Sequence, residues 1–272
     1  MGNFSRARTG FWRFIMSMTK TGAAGAAKGA ERILDRKPLL VGVLALTGFV
    51  AFLRFYEQLF GWSAGLDSFS PEYQIYWLNL LKAAIALAFA GAGGLFGYLW
   101  RTRDRKLAAL SPTDEMRRLL YLIQWLVIFA LALFWGLSFF TEQTAVWHMT
   151  AVRDTDFTPS NIVTFYASYP LFAIIGAGAF LYAKTRLPLF ANGYSLAFLV
   201  LVVGLFMTIP NVGFNEWGHT SWSMDEGFAG PLHWGFVFFG WMSLGVFGVV
   251  LLILGRLRAL LGPELVAAFA GR

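Results

Sequence analysis

Three histidines, His148, His219 and His233, are the whole imidazole complement of this 272-residue chain, which contains no cysteine. Any metal it holds must therefore use nitrogen and oxygen donors, and disulfides are excluded. Asn215 and His219 stand four apart in the run NEWGH, so on a helix they share one face. His233 follows Gly230 and Pro231, where a further helix should begin. The positive end of that helix dipole disfavours imidazolium and so favours the neutral ring that a metal needs. Two imidazoles with an amide oxygen suit copper or zinc better than magnesium or calcium. On spacing alone a blander alternative stays open, because histidines near a membrane boundary often just hydrogen-bond to water or carboxylates.

His148 lies in the run TEQTAVWHMTAVRDTDFTPSN, close in sequence to Glu142, Asp154 and Asp156. That mixture allows a carboxylate and imidazole site, but Arg153 pairs as readily with the same acids in a solvated network. Arg54 and Lys82 fall inside apolar runs, where an ionisable group raises the question of proton or quinol handling. Snorkelling toward the interface, with Arg54 paired to Glu57, is the simpler expectation. Trp217, Trp222, Trp234, Phe236, Phe238, Phe239 and Trp241 suit either a pocket for a small apolar substrate or an interfacial aromatic belt.

The elements that must position these residues are membrane spans. The chain is 57% hydrophobic with a mean hydropathy of +0.59, well above the share of about 45–50% usual in soluble domains. Apolar runs of about 20 residues or more, enough to cross a hydrocarbon core of about 30 Å, occupy 39–60, 75–100, 119–140, 162–183, 194–213 and 232–254. They lack strand alternation, so the expected fold is all-α: a polytopic bundle of about six transmembrane helices. Thr158 and Pro159 read as the cap and first residue of the fourth span. Glycines 91, 93, 94 and 97 in the second span, and 176 and 178 in the fourth, predict close helix approach.

The chain divides into an amphipathic, interfacial segment over 1–37, a membrane domain over 38–254 and a C-terminal tail over 255–272. In the first part Phe4, Phe11, Ile15 and Met18 share a helical face, with no pattern of a cleaved secretory signal. The cations cluster before the first span, at 101–106, at Arg117 and Arg118, at Lys184 and Arg186, and at Arg256, Arg258 and Arg272. By the positive-inside rule those loops and both termini are cytoplasmic, and all three histidines lie on or near the opposite, acidic side. The formal net charge of +7 then belongs to a face beside anionic lipid, so no nucleic-acid partner is expected. No duplicated halves of the kind seen in inverted-repeat transporters are evident.

The runs SFFTEQ, WHMTAVRDTDFTPS, YAKTRLP, IPNVGFNEWGHTSW and PLHWGFVFFGW, in that order over most of 138–241, resemble the C subunit of the copper-dependent membrane monooxygenases of methane, ammonia and short hydrocarbons. The resemblance implies an oxidoreductase subunit inactive alone, working with the A and B subunits in a trimer of ABC protomers. It implies an inner or intracytoplasmic bacterial membrane, copper as cofactor, and dioxygen with a reductant, quinol by expectation. It also implies that Asn215, His219 and His233 are copper ligands, because that family pattern is matched in full. Glu216 and Asp225 then stand where they could orient the imidazoles or simply face solvent.

A second family pattern, Asp, a His four later and a His thirteen after that, falls here on Thr144, His148 and Asn161. Only His148 matches. A threonine hydroxyl and a side-chain amide are weak ligands, so this second site is expected to be empty or weak. The departure leaves methane, ammonia and short hydrocarbons all open as substrate. It also keeps a competing reading in view, in which the chain only scaffolds the complex.

Overall fold

The computed structural model describes residues 35–140, 157–207 and 234–261, the last with side chains from Phe239. Those residues contain helices and no strand. The principal helices are α1 Lys37–Phe60, α2 Pro71–Arg101, α3 Pro112–Phe140, α4 Pro159–Arg186, α5 Leu196–Met207 and α6 Trp234–Leu261. By length and composition, α1 to α4 and the Phe239–Leu261 part of α6 can each cross a membrane. The shorter α5 takes up only part of the fifth predicted span, whose remainder lies outside the described residues. The last helix runs on to Leu261, beyond the expected limit at 254. The interfacial segment over 1–34 also lies outside the described residues.

One local device starts three of these helices. Ser70, Ser111 and Thr158 each precede a proline, and each side-chain oxygen accepts from the backbone N–H three residues on. The hydroxyl satisfies a donor that the first helical turn leaves unpaired, while proline gives up an N–H that had no intrahelical partner. The helices thus begin before their apolar runs, at 71, 112 and 159 in place of 75, 119 and 162. After α4, Leu187 is extended, Pro188–Ala191 forms a single turn, and Gly193 at φ 81° turns the chain into α5.

α3 and α4 form the centre. Leu122, Leu126, Phe129, Leu133 and Leu137 of α3 are fully buried, as are Phe172, Ala179 and Ala183 of α4. Gly176 and Gly178 allow the close approach expected of them: a Cβ on Gly176 would stand 2.6 Å from Phe129, and one on Gly178 2.9 Å from Trp125 and Leu95. The four glycines of α2 behave differently. A Cβ added at 91, 93, 94 or 97 meets nothing within 4 Å, so they do not serve packing among the described residues of this chain. Large apolar side chains such as Val41, Leu44 and Phe55 of α1 and Phe89 of α2 point outward. Outward apolar groups are what lipid as solvent permits.

The two ends of the bundle collect different chemistry. The cationic end joins the α2–α3 connection to the last turn of α4 through Asp104 N–H to the Thr185 carbonyl at 3.0 Å. There Arg118 pairs with Asp104 at 2.9 Å and donates to the Arg186 carbonyl, while Arg186 donates to the Leu99 carbonyl. Arg256 of α6 grips the buried Glu115 of α3 with two hydrogen bonds of 2.7 and 2.8 Å. The far end carries Asn161, the one sequence-predicted metal residue within the described residues.

Candidate functional site

Three π-helical turns lie at the far end: Gln74–Leu78 near the start of α2, Phe134–Phe140 closing α3, and Ile162–Ser168 following the first turn of α4. A π turn inserts a residue, widens the helix and rotates the residues beyond it; such turns frequently occur at functional sites. Two of them flank 141–156, the stretch holding Thr144 and His148.

α4 enters this end with a row of buried hydroxyls. Ser160, Thr164 and Ser168 stand four apart, and with Thr158 and Asn161 they are almost fully enclosed. Thr158 Oγ1 and Ser160 Oγ share a hydrogen bond of 2.9 Å, and Ser168 Oγ donates to the Thr164 carbonyl at 2.6 Å. The same Thr158 hydroxyl accepts from Asn161 N–H, which fixes Asn161 in the first turn. Tyr73 of α2 donates its hydroxyl to the Phe157 carbonyl. Gly65 brings the α1–α2 connection against the same corner: a Cβ there would lie 3.0 Å from Pro159 and 3.1 Å from the Trp77 indole nitrogen. Gly136, in the π turn of α3, approaches so closely that a Cβ would stand 2.9 Å from Phe172 and 3.6 Å from Ser168 Oγ.

The charged pair expected inside α1 is present. Arg54 Nη1 lies 3.1 Å from Glu57 Oε2, with the arginine side chain 37% exposed and the glutamate 2%. The arginine reaches outward while the acid stays buried, as snorkelling predicts for the cation. Lys82 is exposed on α2. Trp241 is half exposed and donates its indole N–H to the Val200 carbonyl at 2.7 Å, tying α6 to α5.

Of the predicted metal residues, Asn161 is the one within the described residues. It is 4% exposed, held in a hydroxyl-rich turn. Asn215, His219, His233, Thr144 and His148 lie outside them, as do Glu216 and Asp225. The described part of α6 starts at Trp234, the residue next in sequence to His233. Among the described residues there is no group of three or more His, Cys, Asp or Glu able to hold a metal. By their chemistry, two imidazoles and an amide, Asn215, His219 and His233 fit copper or zinc. Asn161 in place of an imidazole does not offer a comparable donor.

The row of hydroxyls had a readable signal, the spacing of 160, 164 and 168, which sequence reasoning passed over. The π turns and the burial of Glu57 had none.

Helices of this length and apolarity define a polytopic helical membrane protein. The family model for the C subunit of ammonia monooxygenase/methane monooxygenase matches residues 20–264. The chain belongs to that family, and it is an integral membrane subunit of a monooxygenase complex that works with other monooxygenase subunits. Comparison with curated proteins returns no match.

Proposed function

We propose that this chain is the C subunit of a copper monooxygenase in which Asn215, His219 and His233 hold the metal. The observation that carries the reading is the full Asn, His, His pattern inside a chain whose family match spans 20–264. Copper bound there would supply redox chemistry toward dioxygen. The overall reaction balances with a quinol: one oxygen atom enters a C–H or N–H bond, the other leaves as water, and the quinol's two electrons and two protons are consumed as it becomes quinone.

The chain's own contributions are binding and exclusion. His233, expected in the first turn of the sixth span, would be favoured as a neutral ring by the helix N-terminus. His219 and Asn215, four apart, would share one face on a helix. The packed far ends of α2, α3 and α4 would wall the site from water. Methane, ammonia and short hydrocarbons are the substrate classes, reached through lipid. The assembly is a trimer of ABC protomers in an inner or intracytoplasmic bacterial membrane, with both termini, the 1–37 segment and the 255–272 tail on the cytoplasmic side. The membrane domain is 38–254.

The second trio, Thr144, His148 and Asn161, is empty or weak in this reading. A scaffold role is the competing reading, favoured by the tight hydroxyl packing around Asn161. His233→Ala in the whole complex separates the two. Loss of copper and turnover with intact assembly supports the metal-bearing role, whereas collapse of the complex, or unchanged copper and turnover, supports the scaffold.

A further inference from the structure

A cavity of about 710 Å³ opens between α1, α3 and α4 in the half of the bundle next to the cationic end. It lies away from the π turns of the far end, and its lining is graded. At the level of the cationic end stand Tyr121, Gln124 and Tyr182, and Trp125 lies one position deeper; further in are Leu46, Phe49, Ile128 and Leu171.

The depth order is fixed by hydrogen bonds across the helices. Gln124 Nε2 donates to the Asp35 carbonyl just before α1, and Tyr182 donates to the Arg118 carbonyl near the start of α3. Trp125 donates to the Ile175 carbonyl. The polar side chains therefore sit at one level, where the spans begin, and the aliphatic ones toward the middle.

Among the described residues, no charged side chain lines the cavity. A phosphate head pairs with Arg or Lys, so the described lining itself suits an uncharged head. The volume is that of a drug-sized ligand and far exceeds what a single small gas molecule requires. The head level is aromatic as well as polar: the Trp125 and Tyr182 rings lie 5.5 Å apart. Such walls favour a flat ring. Gln124 is 6% exposed, and its Oε1 accepts no hydrogen bond. The terminal amide torsion of glutamine is broad, so a modest rotation would turn this oxygen toward a hydroxyl of the reduced, quinol form of such a ring.

We infer that this cavity binds a quinone-class prenyl lipid. Its ring lies among Tyr121, Gln124, Trp125 and Tyr182, and its isoprenoid chain against Phe49, Ile128 and Leu171. The inference deepens the quinol reading of the reductant, yet concerns occupancy only, which needs neither copper nor turnover.

The test is lipid quantification on the intact complex extracted with its surrounding membrane in a polymer disc. Ala45→Phe fills the cavity, Gln124→Leu removes the polar partner, and Val41→Phe adds the same bulk on the outward face of α1. Prenylquinone retained per complex should fall with the first two and stay unchanged with the third. For Gln124→Leu, retention about tenfold weaker corresponds to the loss of one hydrogen bond. Phospholipid content should not change. Equal quinone in Ala45→Phe and Val41→Phe, or loss of phospholipid in place of quinone, overturns the inference. Photolabelling of the unaltered complex with an azido-prenylquinone gives a readout independent of the variants' folding. Label on 38–49 or 121–128 agrees with the site, and label confined elsewhere contradicts it. A failure of quinol to drive turnover, with quinone still retained here, would count against the reductant and leave this site standing.

Discussion

The cationic end and the far end of the bundle solve the problem of ending in a membrane in opposite ways. At the cationic end, long basic side chains fold back onto backbone carbonyls and acids: Arg186 on Leu99, Arg118 on Asp104 and Arg186, and Arg256 on Glu115. Lys184 closes the turn after α4 by donating to the Ala191 and Gly193 carbonyls. The cations of α4 sit where a helix C-terminus exposes acceptors, so charge and dipole reinforce one another. At the far end the helices themselves deform into π turns, and short hydroxyls and glycines replace long cations. One end is clamped by side chains; the other is reshaped in its backbone. Shaping is what a site needs, and clamping the opposite end lets the bundle carry it.

The largest effect of breaking the clamp should come from Glu115→Ala. It strands Arg256 and removes two charge-assisted hydrogen bonds to a buried acid. Because Arg256 is 37% exposed, solvent moderates the loss to about 1–3 kcal/mol. Thermal unfolding of the complex should show it, and Glu115→Gln should recover part. At the far end, Gly136→Leu forces a side chain into Phe172 and Ser168. Overpacking of this kind destabilises by about 1–3 kcal/mol, and here it should also lower metal content by spreading α3 from α4. Normal metal content would show that the π turn of α3 does not shape the site.

The Thr158 cap and the Arg54–Glu57 pair were legible because their causes are local: Thr158 precedes Pro159, Arg54 and Glu57 are three apart, and lipid demands a length that the apolar runs display. The clamp was not, because it joins residues as far apart in sequence as Glu115 and Arg256. The far end was less legible for a physical reason. A π turn shifts every later side chain of its helix by one position, yet no residue type announces it. The glycines of α2 show the same limit from another side. Their composition promised close packing, but composition does not say against what, and among the described residues nothing lies there. Spacing and resemblance single out Asn215, His219 and His233, which lie outside the described residues; the structure describes Asn161 and the hydroxyls around it.

Smaller effects sharpen the contrast. Thr158→Ala removes the cap that holds Asn161, at about 1 kcal/mol, and should speed amide exchange in the first turn of α4. The smallest effect belongs to Asp104. The Lys106 backbone N–H, and next the Arg118 guanidinium, hold its carboxyl below the usual range. A lowered folded value stabilises above the ordinary carboxylate pKa, and that contribution fades as pH falls through the folded value. Stability at the cationic end should therefore drop slightly in acid, and Asp104→Asn should flatten that part of the profile.

The most direct test of the account is metal quantification on the purified complex in native lipid, with assembly checked in each sample, across the unaltered protein, His219→Ala and Thr144→Asp/Asn161→His. Copper should fall with His219→Ala and rise in the double variant, the result expected of a first site that holds the metal and a second that lacks only its donors. Copper and turnover both unchanged in His219→Ala would contradict it and leave this subunit a scaffold.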